Sequence, residues 1–78
     1  MIAQDQRQMS NLAWIELSQL LISSVGDGEL VCKPGRDELV RLGLAQRKRQ
    51  DARGCMINEL THRGRQVAIN FIAEEGHA

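Results

Sequence analysis

Apolar residues gather in four stretches of the chain, and their spacing differs from one to the next. Between positions 6 and 24 they crowd together. Leu12, Ala13, Trp14, Ile15, Leu17, Leu20, Leu21 and Ile22 would cover more than half the circumference of a helix. Asp5, with Gln8 three residues on, offers a capping box for its start, and Ser10 or Asn11 a later one. Ser23-Ser24 and Gly26-Asp27-Gly28 end it, two glycines around an aspartate suiting the positive backbone angles of a tight turn. Glu29 to Cys32 reads as a short extended segment. Lys33-Pro34-Gly35 breaks it, because proline has no amide hydrogen for a central strand. Arg36 to Leu42 predicts a short helix, with Leu39, Val40 and Leu42 apolar and Gly43 as its terminator.

In the second half the period changes. Leu44 to Gln50 and Cys55 to Leu60 are extended runs on either side of Asp51-Ala52-Arg53-Gly54, which predicts a hairpin. Its second strand alternates, with Cys55, Ile57 and Glu59 on one face and Met56, Asn58 and Leu60 on the other. Thr61 caps a final helix over 62–74, with Val67, Ala68, Phe71 and Ile72 as its inward stripe. Arg65 stands where a capping-box glutamate would be. Helix, short strand, short helix, hairpin and helix make a small α+β arrangement. With 78 residues and no repeat or linker, residues 1–78 are expected to form a single domain. A helix as apolar as the first has two faces to bury. One packs on the core, and the other invites a partner or a second copy of the chain.

One stretch is recognisable. Leu39-Val40-Arg41-Leu42-Gly43-Leu44-Ala45-Gln46-Arg47 leads into a basic turn and then Ile57-Asn58-Glu59-Leu60-Thr61-His62-Arg63-Gly64-Arg65. Over about 37–68 this resembles the winged-helix domain, most closely that of MarR-type regulators and small phage or prophage proteins. In that family a helix ends in a leucine-rich stretch, a basic strand and a wing turn follow, and the return strand runs into the next helix. The resemblance implies a winged-helix-like α+β fold, DNA binding and transcription control. It also implies a homodimer through the terminal helices, here through Trp14, Leu17, Leu21 and Phe71. The pattern has physical reasons. Gly43 lets the chain turn sharply from helix to strand. Leu42, Leu44 and Leu60 pin the hairpin to the core. Gly64 lacks a side chain where the last helix must pack closely. Arg36–Leu42 stands in the place of the recognition helix at about two turns. The interval from Gly26 to Leu42 leaves no length for a bracing helix, so the domain expected is a reduced one.

The formal net charge is zero, but its distribution is uneven. Residues 1–32 carry −3, residues 33–65 carry +5 and residues 66–78 carry −2. Local potential, not net charge, governs association with a phosphate backbone. The candidate nucleic-acid contacts are Arg36 and Arg41 on the short helix and Arg47, Lys48, Arg49 and Arg53 on the wing, meeting phosphates more than bases. The alternative is a non-enzymatic protein-interaction module, such as a phage-encoded modulator of a host complex, that turns the same basic face to an acidic protein. The two readings part on whether the short helix and the wing form one continuous basic surface, or an acidic flank such as Glu29 or Glu74 covers it.

Other chemistry is poorly represented. Cys32, Cys55, His62 and His77 are the only soft ligands, and their spacing lacks the close pairs of a metal site. The cysteines read instead as small buried residues, and His62 as a surface residue of the last helix's first turn. No metal and no cofactor is expected. There is no glycine-rich phosphate loop, paired-carboxylate constellation or nucleophile motif, so the chain is not expected to be an enzyme. No run approaches the roughly 18 apolar residues of a membrane span, and no signal-peptide pattern opens the chain. A cytoplasmic protein with reduced thiols is expected.

Overall fold

The computed structural model describes residues 9–49 and 54–76. Its first helix, α1, spans Asn11–Ile22. Of the two starts open to it the later one is used, and the Asp5 start lies outside the described residues. Ser10 is the cap: its Oγ accepts from the Ala13 amide at 3.2 Å. Ala13, Glu16, Leu17 and Leu20 form the buried side.

A short strand, β1 (Val25–Gly26), and a single 3₁₀ turn, Asp27–Glu29, follow. The strand expected at Glu29–Cys32 is therefore not where the chain pairs. Leu30 and Cys32 do have extended backbone. The amides beside them, however, are taken by α1 side chains rather than by a strand. Val31 N–H donates to Gln19 Oε1 at 3.0 Å, and Cys32 N–H to Glu16 Oε1 at 2.8 Å. Nor does the glycine pair use the left-handed region, since φ at Gly26 is −73°. Among the described residues positive φ occurs only at Gly43 and Gly54, both at 79°.

Helix α2 covers Lys33–Arg41 and starts three residues before the predicted point. Lys33-Pro34-Gly35 opens this helix instead of only breaking the segment before it. Proline's missing amide costs nothing in a first turn, where amides have no intrahelical acceptor. Gly35 explains why the helix can lie so close to α1. A Cβ at this position would stand 2.2 Å from the Leu12 carbonyl oxygen.

Strands β2 (Ala45–Arg49) and β3 (Met56–Leu60) form the predicted hairpin. Ala45 pairs with Leu60, Arg47 with Asn58 and Arg49 with Met56. The sheet is antiparallel throughout, in the order β1-β3-β2. Ala45, Asn58 and Leu60 are buried, so the Met56-Asn58-Leu60 face is the inner one.

The last helix, α3, spans His62–Gly76. A compact joint ties its start to the hairpin base. Thr61 N–H donates to the Leu44 carbonyl at 3.0 Å, and Thr61 Oγ1 donates to the Gly43 carbonyl at 2.8 Å. Thr61 Oγ1 also accepts from the Gly64 amide at 3.1 Å. A Cβ on Gly64 would come within 1.9 Å of the Leu44 oxygen. Leu20, Leu39 and Leu44 are the large apolar side chains at the centre of the core, with Leu17, Leu60, Val67 and Ala68 around them. The inward stripe of α3 is only half covered: Val67 and Ala68 are buried, but Phe71 is 38% and Ile72 55% exposed.

Candidate nucleic-acid interface

The six candidate cations do not share one environment. Arg36 lies in the first turns of α2, on the side facing the sheet, and is 8% exposed. Its Nη1 donates to Asn58 Oδ1 at 2.8 Å and to Asp27 Oδ1 at 3.2 Å, and its Nε to Asp37 Oδ1 at 2.8 Å. This corrects the expectation for Arg36. A guanidinium buried with three partners joins α2 to the sheet and the 3₁₀ turn and is not presented to a phosphate.

Strand β2 is different. From Gln46 to Arg49 every residue is exposed. Because side chains alternate across a strand, Arg47 and Arg49 fall on the inner face with Ala45, and Lys48 on the outer face with Gln46. On the outer face Lys48 Nζ lies 2.9 Å from Glu59 Oε2, which also accepts from Gln46 Nε2 at 2.6 Å. Those two donors, Lys48 first, hold the Glu59 carboxyl below its ordinary range. On the inner face Arg47 Nη2 bonds Asp27 Oδ2. Arg49, two residues nearer the tip, is exposed and has no hydrogen-bond or ion-pair partner among the described residues. Arg41 ends α2 beside the hairpin base and is exposed. Arg53 lies outside the described residues.

Asp27 links two of these cations, Arg36 and Arg47. Its Oδ1 accepts from Arg36 and, at 2.8 Å, from Asn58 Nδ2, while its Oδ2 accepts from Arg47. Asn58 Nδ2 also reaches the Val25 carbonyl at 3.1 Å. The Arg47 and Asn58 hydrogen bonds, with the two guanidinium charges, lower the Asp27 pKa to about 2. The structure therefore brings Arg36 and Arg47 together, but on an acid of the chain's own. The acidic flanks considered from the sequence do not fill this role. Glu29 turns back to the Gly26 amide at 3.3 Å, and the Glu74 side chain lies outside the described residues. Asp27 and Asn58 were not singled out from the sequence. A polar residue at an inward position of the alternating strand, Asn58, was the available signal, because a buried amide must find partners.

Glu16 is a second missed residue. It is fully buried on α1, and burial pushes its carboxyl above the ordinary range against the Cys32 amide and the Arg36 charge. Its Oε2 has no hydrogen-bond partner among the described residues.

The apolar candidates also divide. Leu17 is 2% exposed and belongs to the core, where it forms part of the floor of the cleft between α1 and α3. Leu21 is half-buried against that core. Trp14 and Phe71 stack on each other with ring centroids 4.4 Å apart and a 32° tilt. Around them a shallow apolar cleft runs between α1 and α3, bordered by Ser18, Leu21, Ala68 and Ile72. The thiols are free; Cys32 is half-buried and Cys55 exposed, which corrects the expectation of two buried cysteines. His62 is exposed as expected. Among the described residues no group of three or more His, Cys, Asp or Glu could hold a metal, and no helix is long and apolar enough to cross a membrane.

Comparison with models of known protein families, with curated proteins and with solved structures found no match.

Proposed function

We propose that the chain is a reduced winged-helix domain that contacts nucleic-acid phosphates through its hairpin wing. The observation that carries this reading is strand β2. Three cations in succession are exposed there, they stand on both faces of the hairpin, and Arg49 has no partner among the described residues to compete for it. Such a strand suits backbone contact, which is electrostatic and tolerant of sequence. The sheet order β1-β3-β2, with α2 leading directly into β2, supports the fold reading. A single 3₁₀ turn occupies the interval before α2, so base recognition by a braced helix is not part of the proposal. Arg41, Arg49 and Arg53 are the principal contacts, and Arg47 and Lys48 are drawn on at the expense of their ion pairs.

We further propose that a second copy covers the open α1/α3 face. The lining supports this: among the described residues the cleft is bordered by apolar side chains and Ser18, with no charged group, and Glu16, the only charged residue of α1, is buried.

The test is a titration of a labelled short DNA duplex at low and at physiological salt. The wild-type chain should bind at low salt, and its affinity should fall steeply as salt rises. Arg41→Gln with Arg49→Gln should weaken low-salt binding by roughly tenfold and shallow the salt slope by about two phosphates' worth. A chain that binds poly-glutamate but not the duplex would instead be a module for an acidic protein partner.

A further inference from the structure

The two oxygens of Asp27 do separate jobs. Oδ1 points inward, where Arg36 at 3.2 Å and Asn58 at 2.8 Å hold it. Arg36 is buried and Asn58 fully so, and neither can leave without stranding a polar group. Oδ2 points outward and, among the described residues, takes only Arg47. That half of the contact is open to solvent: the side chain of Asp27 is 37% exposed and that of Arg47 40%. A guanidinium bound to a carboxylate offers the donor fork that a phosphate oxygen would also use. Asp27 comes from the turn that replaces a bracing helix, and it reaches across to the middle of the wing strand.

We propose that Asp27 is an internal competitor for phosphate: its outward oxygen occupies Arg47 in the unbound protein and holds this wing cation back from the nucleic acid. The proposal rests on the reading of the wing as a phosphate-contacting strand and specifies how that contact is limited. Arg47 and Arg49 project from the same face of the same strand, two residues apart, and differ in having or lacking this carboxylate. Arg49 therefore engages phosphate freely, and Arg47 does so only by exchanging one anion for another. The exchange moves no proton and breaks no covalent bond. The competing carboxylate is fixed in place by Arg36 and Asn58, so its effective concentration beside Arg47 does not fall when the protein is diluted.

The decisive variant is Asp27→Asn. An asparagine retains an oxygen for Arg36 and Asn58 and presents an amide, which cannot accept, towards Arg47. Wild-type and Asp27→Asn chains would be titrated with the same short duplex over a salt series, with circular dichroism confirming the fold. Asp27→Asn should bind roughly three- to tenfold tighter at low salt. Its salt slope should be steeper by about 0.9, one added phosphate contact. Arg47→Gln added to Asp27→Asn should abolish the gain. If the wild type binds and Asp27→Asn binds equally or more weakly, the competitor is refuted while the wing reading survives. If neither binds at low salt, both fall. If Asp27→Asn alone binds, the competition is stronger than expected and the inference holds. Should Asp27→Asn not fold, two single variants decide. Arg47→Gln should change wild-type affinity by less than about twofold, against a severalfold loss for Arg49→Gln. Equal losses would overturn the proposal.

Discussion

Helix α1 is packed on two sides by different means. Towards α2 the contact is close and polar. Gly35 lets the backbones touch, Ser10 N–H and Oγ donate to the Glu38 carboxylate at 2.8 and 2.6 Å, and Glu16 and Gln19 take the Cys32 and Val31 amides. Towards α3 the contact consists of side chains only: Trp14 on Phe71, with Leu17, Leu21 and Ala68 beneath. The first contact accepts one partner in one position, because each donor must meet its acceptor. The second is apolar and incomplete, with Phe71 and Ile72 at its border both left exposed. Geometric specificity was invested where the chain must find itself. The face left general is the one on which another molecule can settle.

The largest test of this contrast is Gly35→Ala. Intrinsic helix propensity favours alanine by about 1 kcal/mol, so a surface glycine would gain stability from the change. At this site the new Cβ meets a backbone oxygen, and a net loss of about 2–4 kcal/mol is expected by urea denaturation. Gly64→Ala, against Leu44, should behave alike. An unchanged midpoint for Gly35→Ala would show that α1 and α2 are not held at backbone distance.

Phe71→Ala should cost less, about 1–2 kcal/mol, because the ring is partly exposed and contacts chiefly Trp14. A loss as large as that of Gly35→Ala would mean that the α3 side is as finished as the α2 side. Ile72→Glu, at the border of the cleft, should leave the fold intact by circular dichroism and convert a sedimenting dimer to a monomer, lowering the melting temperature only by the stabilisation the second copy contributes. Dimers that persist in this variant would locate the second copy elsewhere.

The smallest effects concern protons. Ser10 holds the Glu38 carboxyl below its ordinary range through its hydroxyl and amide. The ionised form is thus favoured in the folded state. Its contribution is complete above the usual carboxylate range and is lost as pH falls through the lowered value. Asp27 acts in the same direction, its contribution fading between about pH 4 and about pH 2. Glu16 has the opposite sign. Burial raises its pKa, so its ionisation opposes folding, and the favourable share is lost as pH rises through the carboxylate range. Ser10→Ala should lose about 1 kcal/mol at neutral pH as a cap, and less at pH 3. A loss independent of pH would detach Glu38 from the α1–α2 contact.

The contrast also marks what can be read from the sequence. The hairpin, its two faces, the Gly43 turn, the Thr61 cap and the close approach at Gly64 follow from local chemistry, and the structure has them. The strand near Glu29 and the start of α2 do not follow, because the deciding partners are remote. Gln19 and Glu16, from a helix earlier in the chain, capture the amides of Val31 and Cys32. Pro34 lacks an amide donor, but its place in a first turn makes that lack harmless. Arg36 and Arg47 illustrate the same limit within the candidate interface. Charge along the sequence locates cations, but folded partners such as Asp27, Asn58 and Glu59 determine which of them is engaged.

The joint at Thr61 has a consequence for how the molecule comes apart. The base of the hairpin and the first turn of α3 share the same few atoms: the Thr61 hydroxyl and amide, the Gly43 and Leu44 carbonyls and the Gly64 amide. Neither element can open at this end without releasing the other. Amide exchange at Thr61 and Gly64 should therefore proceed only through whole-molecule unfolding, at one common free energy, while amides in the last turns of α3 exchange by fraying. In a chain this small, a single hinge pin shared by two elements favours their opening together.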